Sequence, residues 1–395
     1  MKPLEGVRIV DFSRVLAGPM ATQILAELGA DVIKVERPRT GDESRQFEPL
    51  LPGGESAYFF AFNRSKRSVT LNLKSKRAQE VARKLAASAD VVLENFLPGD
   101  MEKLGLGYET LSRINPRLIY VSNTGFGQTG PYRDRNGYDT IFQALSGVMA
   151  LTGHPDAPPA KVGLPFADLT SGLWIAVSIL TSLLGRAQSG RGCHVDVAMM
   201  DLQVSLLTIA AARLFTLDED PQRVGTAHLG RVPSEAFLCR DGEWLHISGS
   251  DQHWAPLCKA LGLDELAADE QLRTNAGRVA QRERIRAALA QAVAAHDQKP
   301  LAERLRAAGV PAGEVNSVRE IVNDPHMRAR GMISEFDHPR EGRFPALRTP
   351  LRFTGFDDPE PGCPPLLGAD TNSILTGELG LSEADVAELR AEGAL

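Results

Sequence analysis

Asp168 is a lone carboxylate at the start of a long apolar segment, and a carboxylate in that setting has two chemical uses. The segment 169–185 contains no charged residue, which is typical of a buried helix. Asp is a preferred helix N-cap, because the positive end of a helix stabilises a negative charge. The same amide groups would keep Asp168 ionised at neutral pH and aim it into a pocket, as a covalent nucleophile requires. The spacing predicts a helix that begins at Asp168 and leaves cap and nucleophile as alternatives.

Other catalytic signatures are missing from the sequence. The eight histidines include no HxxxH or HExxH spacing, and the four cysteines include no CxxC pair. There is also no GxSxG motif and no P-loop. We therefore expect no metal site and no prosthetic group, which leaves Asp168 as the candidate for covalent catalysis.

The segment Gly125–Gly130 fits the GxGxxG pattern of dinucleotide-binding sites and follows a predicted strand. That strand is the fifth in its series, and no amphipathic helix follows it to receive a pyrophosphate. We interpret the segment as a mobile glycine-rich loop near the active site. Gly127 is therefore a candidate substrate-contacting residue.

Cationic and aromatic side chains follow several predicted strands in the first 125 residues. Arg37 follows the second strand, Lys74 follows the third, and Lys103 comes shortly after Asn95–Phe96. Arginine and lysine bind phosphate, and an aromatic ring offers a wall to a base or a pantetheine arm. The pattern suits a phosphorylated nucleotide, with solvated surface cations as an equal alternative at this point.

The elements that would position these residues alternate between strand and helix. Strands separated by helices of about 10–15 residues predict βαβ units and a parallel sheet. Ligands bind beyond the carboxyl ends of the strands in such sheets. The predicted fold class is α/β, with a Rossmann-like parallel sheet in a large domain and a smaller α+β domain. The strand patterns lie at 7–12, 31–36, 68–73, 90–96 and 118–123.

Composition predicts the organisation and the environment of the chain. Net charge is −6 with both signs interspersed, which argues against nucleic acid as a partner. The first residues lack the apolar core of a signal peptide, and scattered free cysteines suit a reducing cytoplasm. Small polar residues interrupt the segment 169–185, so we expect a core helix and no membrane association. The predicted segments are a large domain at 1–200, a linker at 201–221, a small domain at 222–320, a linker at 321–347 and the remainder of the large domain at 348–395.

Seven segments of the chain resemble the family III CoA-transferases, the group that contains formyl-CoA and carnitine CoA-transferases. One such motif would be weak evidence, but seven in the family's order and spacing are specific. The resemblance covers essentially the whole chain and is sharpest up to about residue 200. The segments are Asp11–Pro19, Lys34–Pro38, Asn63–Ser68, Glu94–Gly99, Ile114–Ile119, Gln143–Gly147 and Asp168.

The resemblance implies a fold, an assembly and a ligand site. The large domain would be built from both termini, and two ring-shaped chains would be threaded through one another in a homodimer. An acyl-CoA and a small carboxylic acid would be the substrates, with CoA as a substrate and not a prosthetic group. The implied CoA-site residues are Val15, Ala17, Arg37, Leu71, Lys74, Asn95, Phe96 and Lys103.

The resemblance also implies a mechanism in which Asp168 is the nucleophile. Asp168 attacks an acyl-CoA thioester, giving an aspartyl anhydride and CoA thiolate. The thiolate attacks the anhydride, leaving an aspartyl-CoA thioester as the donor acid departs, and the acceptor carboxylate repeats these steps in reverse. The anhydride must be kept from water. Backbone amides of Gly125–Gly130 or of the Asp168 turn are the candidate donors to the oxyanion.

Two alternatives accompany this hypothesis. A 2-methylacyl-CoA racemase resembles the same template but uses a histidine in a Gly-His-Asp context, where this chain has Tyr138. A phenol is poorly matched in pKa to proton abstraction near neutrality. A CoA-binding protein without catalysis is the alternative of another class, and the intact Asp168 argues against it.

The candidate substrate-specificity region departs from the formyl-CoA transferases. Those enzymes have a run of glycines in the small domain, whereas the matching segment 225–234 here has few. Its charged residues are suited to a second carboxylate of a dicarboxylic acyl group such as succinyl. The candidate substrate residues are Tyr138, Gly127, His228 and Arg231.

Overall fold

The computed structural model describes all 395 residues, which divide into two compact units. The first unit comprises residues 1–148, 162–211 and 325–395, so it includes both ends of the chain. The second unit comprises residues 149–161 and 212–324. Each unit has an apolar core of its own.

The strands form three sheets. The first six make one parallel sheet, the next three an antiparallel sheet in the second unit, and the last two an antiparallel hairpin. The strands are β1 (Arg8–Asp11), β2 (Asp31–Glu36), β3 (Arg67–Thr70), β4 (Val91–Glu94), β5 (Ile119–Thr124), β6 (Cys193–Ala198), β7 (Ser234–Leu238), β8 (Trp244–Ser248), β9 (Ala312–Glu314), β10 (Ile333–His338) and β11 (Gly342–Leu347).

The helices connect the strands and complete both units. They are α1 (Ala17–Glu27), α2 (Ala57–Phe62), α3 (Lys76–Ala87), α4 (Asp100–Lys103), α5 (Tyr108–Ile114), α6 (Asp139–Leu145), α7 (Val148–Leu151), α8 (Phe166–Ser189), α9 (Met199–Ser205), α10 (Thr208–Leu217), α11 (Asp251–Leu261), α12 (Asp264–Ala268), α13 (Asn275–Ala280), α14 (Arg282–Val293), α15 (Gln298–Ala307), α16 (Val318–Asn323), α17 (Pro325–Ala329) and α18 (Glu383–Ala391).

The parallel sheet has the strand order β3-β2-β1-β4-β5-β6, which confirms the predicted α/β fold. Its central strands are apolar and buried on both faces, as helices on either side require. The chain leaves β1 toward one edge of the sheet and later returns through β4 toward the other. The crevice between the carboxyl ends of β1 and β4 is therefore the place where this topology binds ligands.

Helix α8 packs against α1 through a face of small residues. A Cβ atom on Gly172 would lie 3.0 Å from the carbonyl oxygen of Ala17, so glycine permits this close approach. The buried face continues through Ile175 and Ile179. By length and composition α8 could cross a membrane, as could the bent pair α9–α10, a property that core helices of soluble proteins share.

The second unit is built on a three-stranded antiparallel sheet. Strands β7 and β8 pair through the tight Arg240–Gly242 connection, and β9 adds a third antiparallel strand. Arg278 is fully buried here, with its guanidinium donating to the carbonyl oxygens of Val232 and Leu272 and to Asp251. These bonds tie α13 to the segment before β7 and to the start of α11.

The two segments predicted as linkers contain regular structure. Residues 201–221 include most of α9 and all of α10, which the apolar residues of that stretch form. Residues 321–347 include α17 and the hairpin of β10 and β11, whose Phe336 and Phe344 pack on Phe60. The aromatic residues of the hairpin are therefore packed, whereas α10 leaves Ile209, Phe215 and Leu217 exposed.

Candidate active site

Asp168 is the third residue of α8 and not its N-cap. The N-cap is Pro165, whose side chain has no hydrogen-bonding group. Asp139, the first residue of α6, takes the capping role: its Oδ1 accepts from the N–H groups of Ala167 (2.7 Å) and Asp168 (3.3 Å). Its Oδ2 accepts from Gln143 Nε2 at 2.7 Å, which fixes the carboxylate. The cap interpretation of Asp168 is therefore wrong, and its own carboxylate is free for chemistry.

Burial raises the pKa of Asp168 to about 7, and the neighbouring charge of Asp139 adds to the shift. We expected the helix start to keep this carboxylate ionised, and the structure corrects that expectation. The first-turn amides donate to Asp139, so they do not solvate the Asp168 carboxylate. A carboxyl group perturbed in this way is characteristic of functional sites.

Tyr58, in α2, is a residue whose electrostatic coupling to Asp168 the sequence did not reveal. Burial raises the pKa of its phenol, and the charges of Asp168 and then of Asp42 and Asp139 add to the shift. The phenol therefore stays protonated and lies within electrostatic range of Asp168. No local motif marks Tyr58, because its relation to Asp168 arises only when α2 and α8 are placed in the fold.

The predicted substrate residues of this unit are exposed or already bonded. Tyr138 is the N-cap residue of α6, directly before Asp139, and its side chain is 82% exposed. Gly127 has φ +88°, and its N–H donates to Thr124 Oγ1 at 3.0 Å. The amides of Gly127 and Asp168, both proposed as oxyanion donors, thus have other acceptors.

A cavity of about 930 Å³ opens in the first unit and is lined by residues that follow the strands. Its size is that of a typical ligand pocket. Cationic, apolar and aromatic residues far apart in the sequence meet here. The predicted CoA-site residues that line it are Arg37, Leu71, Lys74, Phe96 and Lys103.

The other three predicted CoA-site residues do not line this cavity. Asn95 is bonded to the main chain of Arg14: its Oδ1 accepts from the N–H at 3.0 Å, and its Nδ2 donates to the carbonyl oxygen at 2.9 Å. Val15 has φ +69°, a strained conformation for a β-branched residue. Ala17 is buried as the first residue of α1. These three residues shape the turn after β1.

Buried charged side chains hold the main chain of this turn in place. Both carboxylate oxygens of Asp42 accept from the N–H of Val15 at 3.2 Å, and Lys34 Nζ donates to the carbonyl oxygen of Ser13 at 2.9 Å. Burial opposes the charge of Asp42, but Lys34 at 2.8 Å and the hydrogen bonds from Ser44 hold its pKa well below its usual range. Strain such as that at Val15 costs about 1–3 kcal/mol and persists only where surrounding bonds fix it.

The cavity wall carries more positive charge than the sequence indicated. Lys103 pairs with Asp100 at 2.8 Å and Arg37 with Glu43 at 3.1 Å, whereas Lys74 makes no ion pair. Arg39 follows β2 closely in the sequence, and that position could have identified it as a residue of the cavity wall. Nothing in the sequence indicated that Arg390, in the last helix, lines the cavity. The additional wall residues are Arg39, Arg14 and Arg390.

His228 and Arg231 lie in the second unit, in the connection before β7. Both side chains are exposed, and neither pairs with a carboxylate. His228 Nδ1 accepts from the N–H of Gly230 at 3.0 Å, so the ring has a defined orientation. Both residues stay candidate substrate contacts.

Comparison with known proteins identifies the family. Residues 4–371 match the model of CoA-transferase family III, and the chain belongs to that family. It is similar to a CaiB/BaiF family protein of known structure from Brucella suis, with a TM-score of 0.85, 41% identity and coverage of 95% of this chain and 99% of that one. The predicted family is confirmed.

Two curated relatives define the type of enzyme. The succinyl-CoA:glutarate CoA-transferase of Mus musculus is 39% identical over 395 residues, which cover 100% of this chain and 91% of that protein. The acetyl-CoA:oxalate CoA-transferase of Acetobacter aceti is 38% identical over 367 residues, covering 92% and 93%. This protein is a CoA-transferase, and an acyl-CoA is one of its substrates.

Proposed function

We propose that this enzyme transfers CoA between dicarboxylic acids, with Asp168 as the covalent nucleophile. The observation that carries the proposal is the half-buried, unbonded Asp168 carboxylate, which Asp139 positions by capping the start of α8. The names of the relatives give succinate and glutarate for the mouse enzyme and acetate and oxalate for the Acetobacter enzyme, so each relative acts on at least one dicarboxylate. The relatives therefore support the substrate class, and the site supports the nucleophile.

The carboxylate would act in two half-reactions. Asp168 adds to the thioester carbonyl carbon, the C–S bond breaks, and CoA leaves as a thiolate. The thiolate then adds to the aspartyl carbonyl of the anhydride, releasing the donor carboxylate and forming an aspartyl-CoA thioester. The acceptor carboxylate reverses both steps, so no net proton transfer is required. The protonated phenol of Tyr58 is suited to stabilise an oxyanion on this path.

Trapping the covalent intermediate tests the nucleophile. The enzyme is incubated with succinyl-CoA and hydroxylamine, digested, and examined by peptide mass spectrometry. We expect a hydroxamate on the peptide that contains Asp168, because hydroxylamine attacks both the anhydride and the thioester. A racemase or a CoA-binding protein would yield no such adduct. Acceptor acids are then compared with succinyl-CoA as donor, and a preference for monocarboxylic acids would contradict the proposed substrate class.

Removing His228 and Arg231 tests their proposed contact with the second carboxylate. The double variant His228→Ala/Arg231→Ala is expected to raise KM for glutarate about tenfold, since a charge-assisted hydrogen bond is lost. KM for acetate should not change. Arg273→Ala is the matched control, because this exposed arginine pairs only with its neighbour Glu270. Equal KM values for glutarate in wild type and double variant would remove both residues from the site.

We also propose that the enzyme is a homodimer, and an exposed apolar surface of α8 supports this proposal. Leu173, Trp174, Val177 and Leu184 leave an apolar stripe about half exposed along the helix. A contiguous exposed apolar surface of this kind marks an interaction site. An interlocked pair of chains would cover it, as the family resemblance implies.

Sedimentation tests the assembly. The wild type is expected to have about twice the chain mass of 42.7 kDa. Trp174→Glu should dissociate or prevent the dimer, because the interface would bury an unpaired charge. Ile114→Glu is the control, since that exposed side chain lies at the end of α5 and outside the stripe. A monomeric wild type would contradict the proposal.

A further inference from the structure

Arg14 stands in the turn between β1 and α1 and lines the cavity beside Phe96. Asn95 fixes its main chain on both sides, since it accepts from the N–H and donates to the carbonyl oxygen. The next residue, Val15, is held by Asp42. The Arg14 side chain therefore leaves a rigid backbone, and its place at the cavity wall is set before any ligand arrives.

The guanidinium of Arg14 has donors that the protein does not use. Its Cζ lies 4.8 Å from the centroid of the Phe96 ring, and stacking of this kind fixes the guanidinium plane. Nη1 donates to Glu43 Oε1 at 2.9 Å, whereas Nε is buried without a partner. Nε is enclosed by the protein, but Nη2 donates to no protein atom and the side chain is 28% exposed, so a ligand oxygen in the cavity can accept from Nη2.

The charge balance around Arg14 favours an anion. Glu43 Oε1 is shared between Arg14 and Arg37, at 2.9 and 3.1 Å, so one carboxylate faces two guanidinium groups. Lys74, on the same cavity, has no carboxylate partner. This part of the wall keeps a positive excess that a phosphate group would neutralise, and arginine matches the geometry of phosphate oxygens.

We propose that Arg14 is a phosphate-binding residue for the nucleotide end of acyl-CoA. This role rests on the proposed CoA chemistry and adds a contact that the family resemblance did not imply. Arg14 and Arg37 would bind the phosphate group together. Asn95 is a positioning residue, because its amide is bonded to the Arg14 main chain and not to the cavity.

Calorimetric titration of Arg14→Gln with CoA tests the assignment. The dissociation constant for CoA is expected to rise about tenfold relative to the wild type. The dissociation constant of Arg14→Lys should lie between those of the wild type and Arg14→Gln, because lysine keeps the charge but lacks the planar guanidinium donors. Arg113→Gln is the matched control: it removes the same charge from an exposed arginine of α5 outside the cavity. Its affinity for CoA should equal that of the wild type.

Titration with shortened ligands identifies the phosphate. A loss confined to CoA and absent with 3′-dephospho-CoA assigns the contact to the 3′-phosphate, and a loss shared by both assigns it to the pyrophosphate. An equal loss with pantetheine, which has no phosphate, would overturn the proposal, as would unchanged CoA affinity in Arg14→Gln. Failure of the wild type to bind CoA at all would instead contradict the proposed function.

Discussion

Asp168→Asn is expected to lower kcat for CoA transfer by at least about a thousandfold. Asparagine keeps the shape of the side chain but removes the carboxylate that would attack the thioester. Affinity for CoA should not change, because Asp168 does not line the cavity of about 930 Å³ in which the CoA nucleotide is proposed to bind. The rate is measured with succinyl-CoA and glutarate and the affinity by calorimetry. Substantial transfer by the variant would exclude Asp168 as the nucleophile.

The pH dependence of the stability of this variant is an independent test of the raised pKa of Asp168. The folded-state pKa of Asp168 is about 7 against an ordinary value of 3.8, so the folded protein holds this proton more tightly than the unfolded chain. The stabilising contribution of the group is full below pH 3.8 and is lost as pH rises through 7. Asparagine does not titrate, so Asp168→Asn should have a higher Tm than the wild type at pH 8, with the difference shrinking toward pH 4. Asp264→Asn, an exposed site in α12, should show no such trend.

Asp139→Asn is expected to move the pH dependence of transfer to lower pH. In the wild type kcat/KM should rise with pH through about 7, because attack requires ionised Asp168, and activity at pH 6 should be about a tenth of the plateau. The charge of Asp139 contributes to the raised pKa of Asp168. Its removal should shift the midpoint of this acid limb downward and raise the ratio of activity at pH 6 to activity at pH 8.

Two comparison variants separate charge from geometry. The asparagine oxygen of Asp139→Asn can still accept from the N–H of Ala167, whereas Asp139→Ala cannot and should also lose plateau activity. Asp196→Asn removes a carboxylate that bonds the Gln128 N–H in the glycine-rich loop, and it should leave the midpoint unchanged. An unmoved midpoint in Asp139→Asn would mean that burial alone sets the pKa of Asp168.

Much of the large sheet follows from local patterns. Short apolar runs such as Asp31–Glu36 alternate with helical segments. This alternation is typical of parallel strands that helices cover on both faces of the sheet. The residues after the strands could also be anticipated, because parallel strands end at one edge of the sheet. That is why Arg37, Lys74 and Phe96 meet in one cavity.

The features that the sequence did not reveal depend on contacts between distant residues. Asp168 looked like a cap because it precedes an apolar run, whereas the cap is Asp139, from a different helix. The family resemblance implied a CoA contact for Asn95, and the structure adds that its side-chain amide is bonded to the main chain of Arg14. Local spacing places a polar group near a site, but only the packed fold decides which partner it bonds.

The fixed turn after β1 has a consequence for how the enzyme takes up its substrate. A flexible phosphate-binding loop loses conformational entropy when a ligand orders it, and that loss subtracts from affinity. Here the backbone of Ser13–Val15 is already ordered by Asp42, Lys34 and Asn95. The conformational entropy of this turn is lost once, during folding. The strained conformation of Val15 is already present in the protein without ligand. At the proposed phosphate site, each arriving CoA would then meet a surface that needs no rearrangement in this turn.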